Sequence, residues 1–251
     1  MIARLYERNL LARVRSGPLP RHIGIVMDGN RRWARQEGLP DANLGHHYGG
    51  RHVTRVLGWC TELGIEHVTV FVASTDNLTS RPQAELQHLM TVIEDVVAVE
   101  LSRPGGPWRV RLAGRIDMLP DSTARALKEA VEATRERPAR TEVTIAIGYG
   151  GRDEIVDAVR SMLDAAARDG IGLRELAGRV TDDAIAAHLY TAGTPDPELV
   201  IRTSGEQRLS GFLLWQSTHA NLHFCDVYWP GFRRIDLLRA LRAYVRDQAR
   251  R

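Results

Sequence analysis

Lysine is nearly absent from this chain: Lys128 stands alone among 34 basic residues, and the arginines are scattered among 31 acids along most of the sequence. A formal charge of +3 spread in that way makes a poor nucleic-acid footprint, which needs basic side chains gathered on one face. Cysteine is as scarce. Cys60 and Cys225 form neither a disulfide framework nor a metal-ligand spacing, so a reducing, cytoplasmic setting is expected. No apolar run approaches the roughly 18 residues of a membrane span, and the N-terminus lacks the apolar region of a signal peptide. Nucleotide signatures are missing too. There is no G-x-x-x-x-G-K-[ST], and "GYGGRDE" lacks the third glycine of a dinucleotide fingerprint, reading instead as a strand-to-helix turn with Asp153 and Glu154 in the first helical turn.

What is present is ordinary globular material: 251 residues, 43% hydrophobic and 26% charged, enough for one sizeable core. Strand-like runs recur at Ile23–Met27, Val68–Ala73, Val110–Ala113, Val143–Ile147, Leu199–Ile201 and Phe212–Trp215. Helix-period segments lie among them at Val53–Leu63, Glu85–Leu101, Ser122–Ala133, Asp153–Arg168 and Thr181–Leu189, and Ile235–Ala249 closes the chain. This alternation predicts a single α/β domain with a mostly parallel central sheet flanked by helices. A short stripe of Ile2, Leu5, Tyr6, Leu11 and Val14 ends at "GPLP", dividing a helix and connector (1–19) from the main domain (20–251). The stripe suits a cap on the domain or peripheral contact with a membrane surface.

Ligands of such sheets bind beyond the carboxyl ends of the strands. Three of those ends carry polar clusters: Asp28, Asn30, Arg31 and Arg32; Ser74, Thr75, Asp76 and Asn77; and Arg202, Ser204, Glu206, Arg208 and Ser210. Arginine forks and turn N–H groups suit phosphate oxygens, and a carboxylate beside them suits Mg²⁺ bridging those oxygens. Together they point to a diphosphate site. The plainer alternative makes Asp28 a helix cap, Arg31 and Arg32 solvated, and "STDN" a capped turn.

In order along residues 20–250, "HIGIVMDGNRRWAR", "GHHYGG", "STDN", "GYGGRDEIVDAVR", "PDPELVIRTSGEQRLSGFLLWQS" and "YWPGFRRIDLLRAL" resemble the motifs of cis-prenyltransferases, the undecaprenyl diphosphate synthase family. The wording is most similar to that of actinobacterial members making Z,E-farnesyl diphosphate. The resemblance implies a homodimer, Mg²⁺, an apolar tunnel, and condensation of isopentenyl diphosphate with an allylic diphosphate to a short Z-prenyl product. By position it implies that Asp28 holds Mg²⁺ and assists departure of the allylic diphosphate, which Gly29, Asn30, Arg31, Arg32 and His46 surround. Arg202, Arg208 and Ser210 would bind isopentenyl diphosphate, and Ser74 and Asn77 would stand near the condensing carbons.

Several positions depart from the family pattern. Asn221 stands where a glutamate usually serves as second metal ligand, and a neutral carbonyl should bind Mg²⁺ more weakly. In an extended chain His219, Asn221 and His223 would share one face, a set suited to a borderline transition metal or to plain hydrogen bonding. "LPDANLGHH" lacks an arginine that many members use, and Arg81 and Glu85 sit one place later than expected. Helix Glu85–Leu101 and strand Val68–Ala73 resemble the tunnel walls. Val72, often alanine in long-chain members, would narrow the tunnel or simply pack. Alternatives are a long-chain synthase, an irregular coupling of two allylic diphosphates, and a non-catalytic partner subunit.

Overall fold

The computed structural model describes residues 2–250, apart from the side chains of residues 2–4, 97 and 98. The described residues form six strands, several of them rich in β-branched residues: β1 (His22–Val26), β2 (His67–Ser74), β3 (Trp108–Ala113), β4 (Thr141–Tyr149), β5 (Leu199–Arg202) and β6 (Asn221–Phe224). Their order is β3-β4-β2-β1-β5-β6, and every pair is parallel. β1 is central and buried along its whole length, which is why its sequence is a continuous apolar run.

Among the described residues ten α-helices accompany the sheet. They are α1 (Ile2–Arg15), α2 (Asn30–Gln36), α3 (Leu44–Glu62), α4 (Thr75–Ser80), α5 (Gln83–Ile93), α6 (Asp121–Thr134), α7 (Gly151–Arg168), α8 (Leu173–Arg179), α9 (Asp182–Ala186) and α10 (Arg234–Gln248). The expected helix Glu85–Leu101 is α5 followed by a π-helical segment, Glu94–Leu101. On one sheet face Ile25, Val70, Ile145 and Ile201 join a core with Leu57, Met90, Leu127 and Leu241 of the helices. On the other, Phe212 and Leu213 pack with Val26, Ala146 and Val200. α1 lies against α10 with Leu10 and Val14 buried, while Leu5 and Tyr6 are exposed; the side chain of Ile2 is outside the described residues. Among the described residues no helix is long and apolar enough to cross a membrane.

One expected strand is absent. Phe212–Trp215 runs through turns, because Ser210, Gly211 and Leu213 take φ values of 52°, 76° and 46°, outside any ladder conformation. Its apolar residues cover the sheet instead: the Phe212 ring stacks on Phe71 with centroids 4.9 Å apart. The sixth strand is Asn221–Phe224, at the sheet edge.

Candidate active site

β1, β2 and β5 end side by side, and a cavity of about 650 Å³ opens beyond them. Its polar end collects Asp28, Gly29, Asn30, Arg31, Arg32, His46, Ser74, Asn77, Arg202, Arg208 and Ser210, so eleven residues expected from four separated segments share one chamber. The rest is apolar. Val70 and Val72 of β2, Val53 of α3, and Leu89, Val92, Ile93, Val96 and Leu101 of α5 and the π-helical segment line it, so the predicted tunnel walls do face a cavity. Val72 is the extra residue of a bulge, since Phe71 pairs with Ala146 and Ala73 with Ile147.

Asp28 lies two residues beyond β1, and its backbone is clamped by a residue that sequence reasoning did not single out. The Thr203 hydroxyl accepts from the Asp28 N–H (2.9 Å) and donates to the Asp28 carbonyl (2.7 Å). Gly29 follows at φ 96°, where a Cβ would fall 2.5 Å from the Tyr228 ring. This left-handed turn starts α2 and keeps the Asp28 carboxylate off the cap position. Arg202 Nη2 donates to Asp28 Oδ2 at 2.8 Å and Arg32 Nη2 to Oδ1 at 3.2 Å. Burial opposes ionisation, but hydrogen bonds from Arg202 and Ser204 and the charges of Arg202 and Arg32 hold the Asp28 carboxyl below its ordinary range.

Arg202 is itself buried, and its Nη1 donates to the Ser210 Oγ at 2.8 Å and to the Arg208 carbonyl. Arg208 instead reaches solvent and pairs with Glu206, which also lies 3.6 Å from Arg32. One arginine is therefore a buried strut and the other an exposed arm. On the opposite wall Arg31 (2.7 Å) and Arg81 (3.0 Å) converge on the buried Glu85, with His46 Nε2 3.8 Å away. Burial, then the charges of Arg81, Arg31 and His88, push His46 down to about 4, leaving a neutral imidazole. His46 Nε2 and Asn30 Oδ1 are buried without a hydrogen-bond partner among the described residues, the first facing Glu85 and the second packed against Gly49. "GHHYGG" owes its glycines to close packing: a Cβ on Gly49 would fall 2.1 Å from Asn30 Oδ1.

Ser74 caps α4, its Oγ accepting from the Asn77 N–H at 3.0 Å, so "STDN" is a capped helix start as well as part of the chamber. Arg81 donates to the Asn77 side-chain carbonyl at 3.2 Å and lines the cavity, as does Arg35, one turn beyond Arg31. Neither was assigned from sequence. Arg81 directly follows the short α4, which turns it towards Asn77 and Glu85.

Asn221 is the expected residue that the fold does not bring in. It pairs with Leu199, which pairs with Ile23. It therefore stands at the amino end of the sheet, on the order of 15 Å along the strands from Asp28 within one chain. His223 shares its strand, whereas His219 lies in a 3₁₀ turn and is exposed, so the three do not form one extended face. Among the described residues no three His, Cys, Asp or Glu side chains could together hold a metal. What the residues at the strand ends could offer a divalent cation is the single carboxylate of Asp28, flanked by Arg32 and Arg202.

A fixed arginine grip with one carboxylate, continuous with an apolar chamber, defines a class: α/β proteins that hold a ligand anionic at one end and hydrocarbon at the other. The family model described as "Putative undecaprenyl diphosphate synthase" matches residues 26–251. The chain is 59% identical over 247 residues to an isoprenyl transferase of Streptomyces fradiae, and 52% identical over 247 residues to a (2Z,6E)-farnesyl diphosphate synthase of Thermobifida fusca. Each alignment covers 98% of this chain and 95% of the relative. A crystal structure of lavandulyl diphosphate synthase from Lavandula x intermedia with dimethylallyl diphosphate superposes with a TM-score of 0.83 at 29% identity, covering 90% of this chain and 95% of that one. The chain belongs to the undecaprenyl diphosphate synthase family of cis-prenyltransferases and is a prenyltransferase enzyme.

Proposed function

We propose that the protein condenses isopentenyl diphosphate with a short allylic diphosphate to a short Z-prenyl diphosphate such as (2Z,6E)-farnesyl diphosphate, releasing diphosphate. The observation that carries this reading is the joined chamber. Its polar end offers two groups of arginines on either side of Asp28, and its apolar part lies within the same 650 Å³, room for a few isoprenoid units rather than tens. Relatives named (2Z,6E)-farnesyl diphosphate synthase support the short product.

In this reading Arg31, Arg32 and His46 hold the allylic diphosphate, and Arg202, Arg208 and Ser210 hold isopentenyl diphosphate. The allylic C–O bond breaks with its electron pair going to the diphosphate, the isopentenyl double bond forms the new C–C bond, and the proton lost from the adjacent carbon, whose C–H electrons become the new double bond, passes to the released diphosphate. Fixed guanidiniums and N–H groups stabilise the growing oxygen charge more than the ground state. Asp28 would hold Mg²⁺, which would supply Lewis-acid stabilisation of the same charge. Ser74 and Asn77 border the condensing carbons. We place the enzyme in the cytoplasm, consistent with two free thiols, and as a homodimer. Exposed Val156 and Leu163 on α7, with Leu222 on the edge strand, support an intersubunit surface.

Incubation of the purified protein with isopentenyl diphosphate, Mg²⁺ and allylic primers of increasing length, with products identified by mass and double-bond geometry, tests the proposal. A C15 product with a new Z bond from the C10 primer is expected. Products of many units, coupling of two primers, or no turnover without a second protein would each replace it.

A further inference from the structure

We propose that Glu154 is a positioning residue that holds the substrate arm carrying Arg208 and Ser210, a role that rests on the reading of that arm as the isopentenyl diphosphate grip. Glu154 belongs to the first turn of α7, touches no part of the cavity, and has no solvent exposure. A buried carboxylate is unfavourable unless it is saturated with donors, and this one is. Oε2 accepts from the Tyr149 hydroxyl, and Gln216 Nε2 lies 3.0 and 3.1 Å from the two oxygens. The Tyr190 N–H donates to Oε1 at 3.1 Å, and Gln216 Nε2 also reaches Thr191 Oγ1 at 2.7 Å. Three segments far apart in sequence are tied to one side chain: the end of β4, residues 190–191, and the turn at Gln216.

That turn closes the arm. The chain from Arg202 to Gln216 is pinned at its near end by Arg202 on Ser210, and in its middle by the Gly151 N–H on the Gly211 carbonyl at 2.9 Å. The Ser217 N–H on the Leu213 carbonyl, at 2.8 Å, pins the far end. Ser210 and Leu213 hold left-handed φ values that non-glycine residues avoid, so the arm keeps its shape only while such contacts hold it, the far-end anchor among them. Gln216 is the anchor point, and Glu154 is what holds Gln216. "GYGGRDE", no nucleotide fingerprint, thus acts on the diphosphate grip from behind.

Glu154→Gln keeps the shape but leaves one acceptor oxygen, setting an amide N–H₂ among groups that already donate. Affinity for isopentenyl diphosphate and for inorganic diphosphate is measured by calorimetry on the parent, Glu154→Gln and Tyr149→Phe, with KM for each substrate and kcat from steady-state assays. For a displaced grip, loss of at least about tenfold in isopentenyl diphosphate affinity and in its KM is expected, with primer KM and kcat within about threefold. Tyr149→Phe should move the same parameter by less. A folded Glu154→Gln protein that binds both ligands within about threefold of the parent, or loses primer affinity equally, overturns the proposal. Should Glu154→Gln fail to fold, Tyr149→Phe decides by the same comparison. If the parent binds diphosphate without turnover and Glu154→Gln loses that binding, the condensation reading falls while the positioning role stands.

Discussion

Arg202, the last residue of β5, donates to the carboxylate of Asp28, two residues past the neighbouring β1, at 2.8 Å, while its other nitrogen holds Ser210. A single buried guanidinium therefore links the residue assigned to the departing diphosphate with one assigned to the incoming substrate. Replacing Asp28 by Ala should lower turnover by at least on the order of a hundredfold, because stabilisation of the leaving group is lost. It should also destabilise the fold by about 1–2 kcal/mol, less than a fully buried pair, since 28% of the Asp28 side chain stays exposed. Single-turnover rates and thermal midpoints check both numbers; a folded variant with near-normal turnover would remove Asp28 from the mechanism.

Metal dependence separates a substrate-carried ion from a resident one. With only Asp28 to hold it, Mg²⁺ should bind the substrate-free protein no more tightly than millimolar and tighten once diphosphate is added. Equilibrium dialysis with and without inorganic diphosphate reads this directly, and chelation should abolish turnover reversibly. Tight binding in the absence of diphosphate would call for a protein metal cage.

Arg81, not Ser80, should carry the function expected of the arginine after Asn77, because Arg81 lines the cavity and pairs with Glu85 while the Ser80 hydroxyl only donates to the Asp76 carbonyl of its own helix. Arg81→Ala is expected to lower kcat/KM at least on the order of tenfold, and Ser80→Ala to leave it within about twofold. The reverse pattern would refute the shifted alignment.

Val72→Ala should lengthen the product by at least one isoprenoid unit with activity retained, since Val72 lines the chamber and losing two methyl groups enlarges it. Chromatography of the products against standards decides. An unchanged distribution from an active variant would make Val72 ordinary wall packing.

Acid should destabilise the protein before its carboxylates titrate. His22, at the start of β1, is pushed down to about 4 chiefly by burial, and His46 likewise. Unfolded histidines bind protons near pH 6.5, so between pH 6.5 and 4 the unfolded chain holds protons that the folded chain refuses. Stability is full above 6.5 and falls as pH drops through this window, by up to about 3 kcal/mol for each group. Urea unfolding at pH 7.5 and pH 5 checks the sign, and His22→Gln should flatten the difference. A slope unchanged in that variant would assign the acid sensitivity elsewhere.

Periodicity along the chain was enough to show an α/β domain, because β1 is buried on both faces and must be continuously apolar, and α6, α7 and α10 each bury one stripe. The polar lining of the cavity was legible for a related reason: a parallel sheet brings its strand ends together, so polar clusters after Met27, Ala73 and Ile201 lie close to one another. Phe212–Trp215 misled because an apolar run says that a segment is buried, not that it is extended; positive φ at Leu213 settles that, and no residue type announces it. Register lies equally beyond pattern. Asn221 belongs to the motif that follows Arg202 and Ser210, yet pairing with Leu199 carries it to the opposite end of the sheet. Conversely, Glu154 reads as a favourable acid in a helical first turn, and its work as an anchor exists only because Tyr190 and Gln216 reach it from distant segments, beside the nearby Tyr149. Local pattern determines which residues are buried and which chemistry sits at a strand end. Hydrogen bonds between segments far apart in sequence, whose geometry no local pattern encodes, decide which of those groups meet.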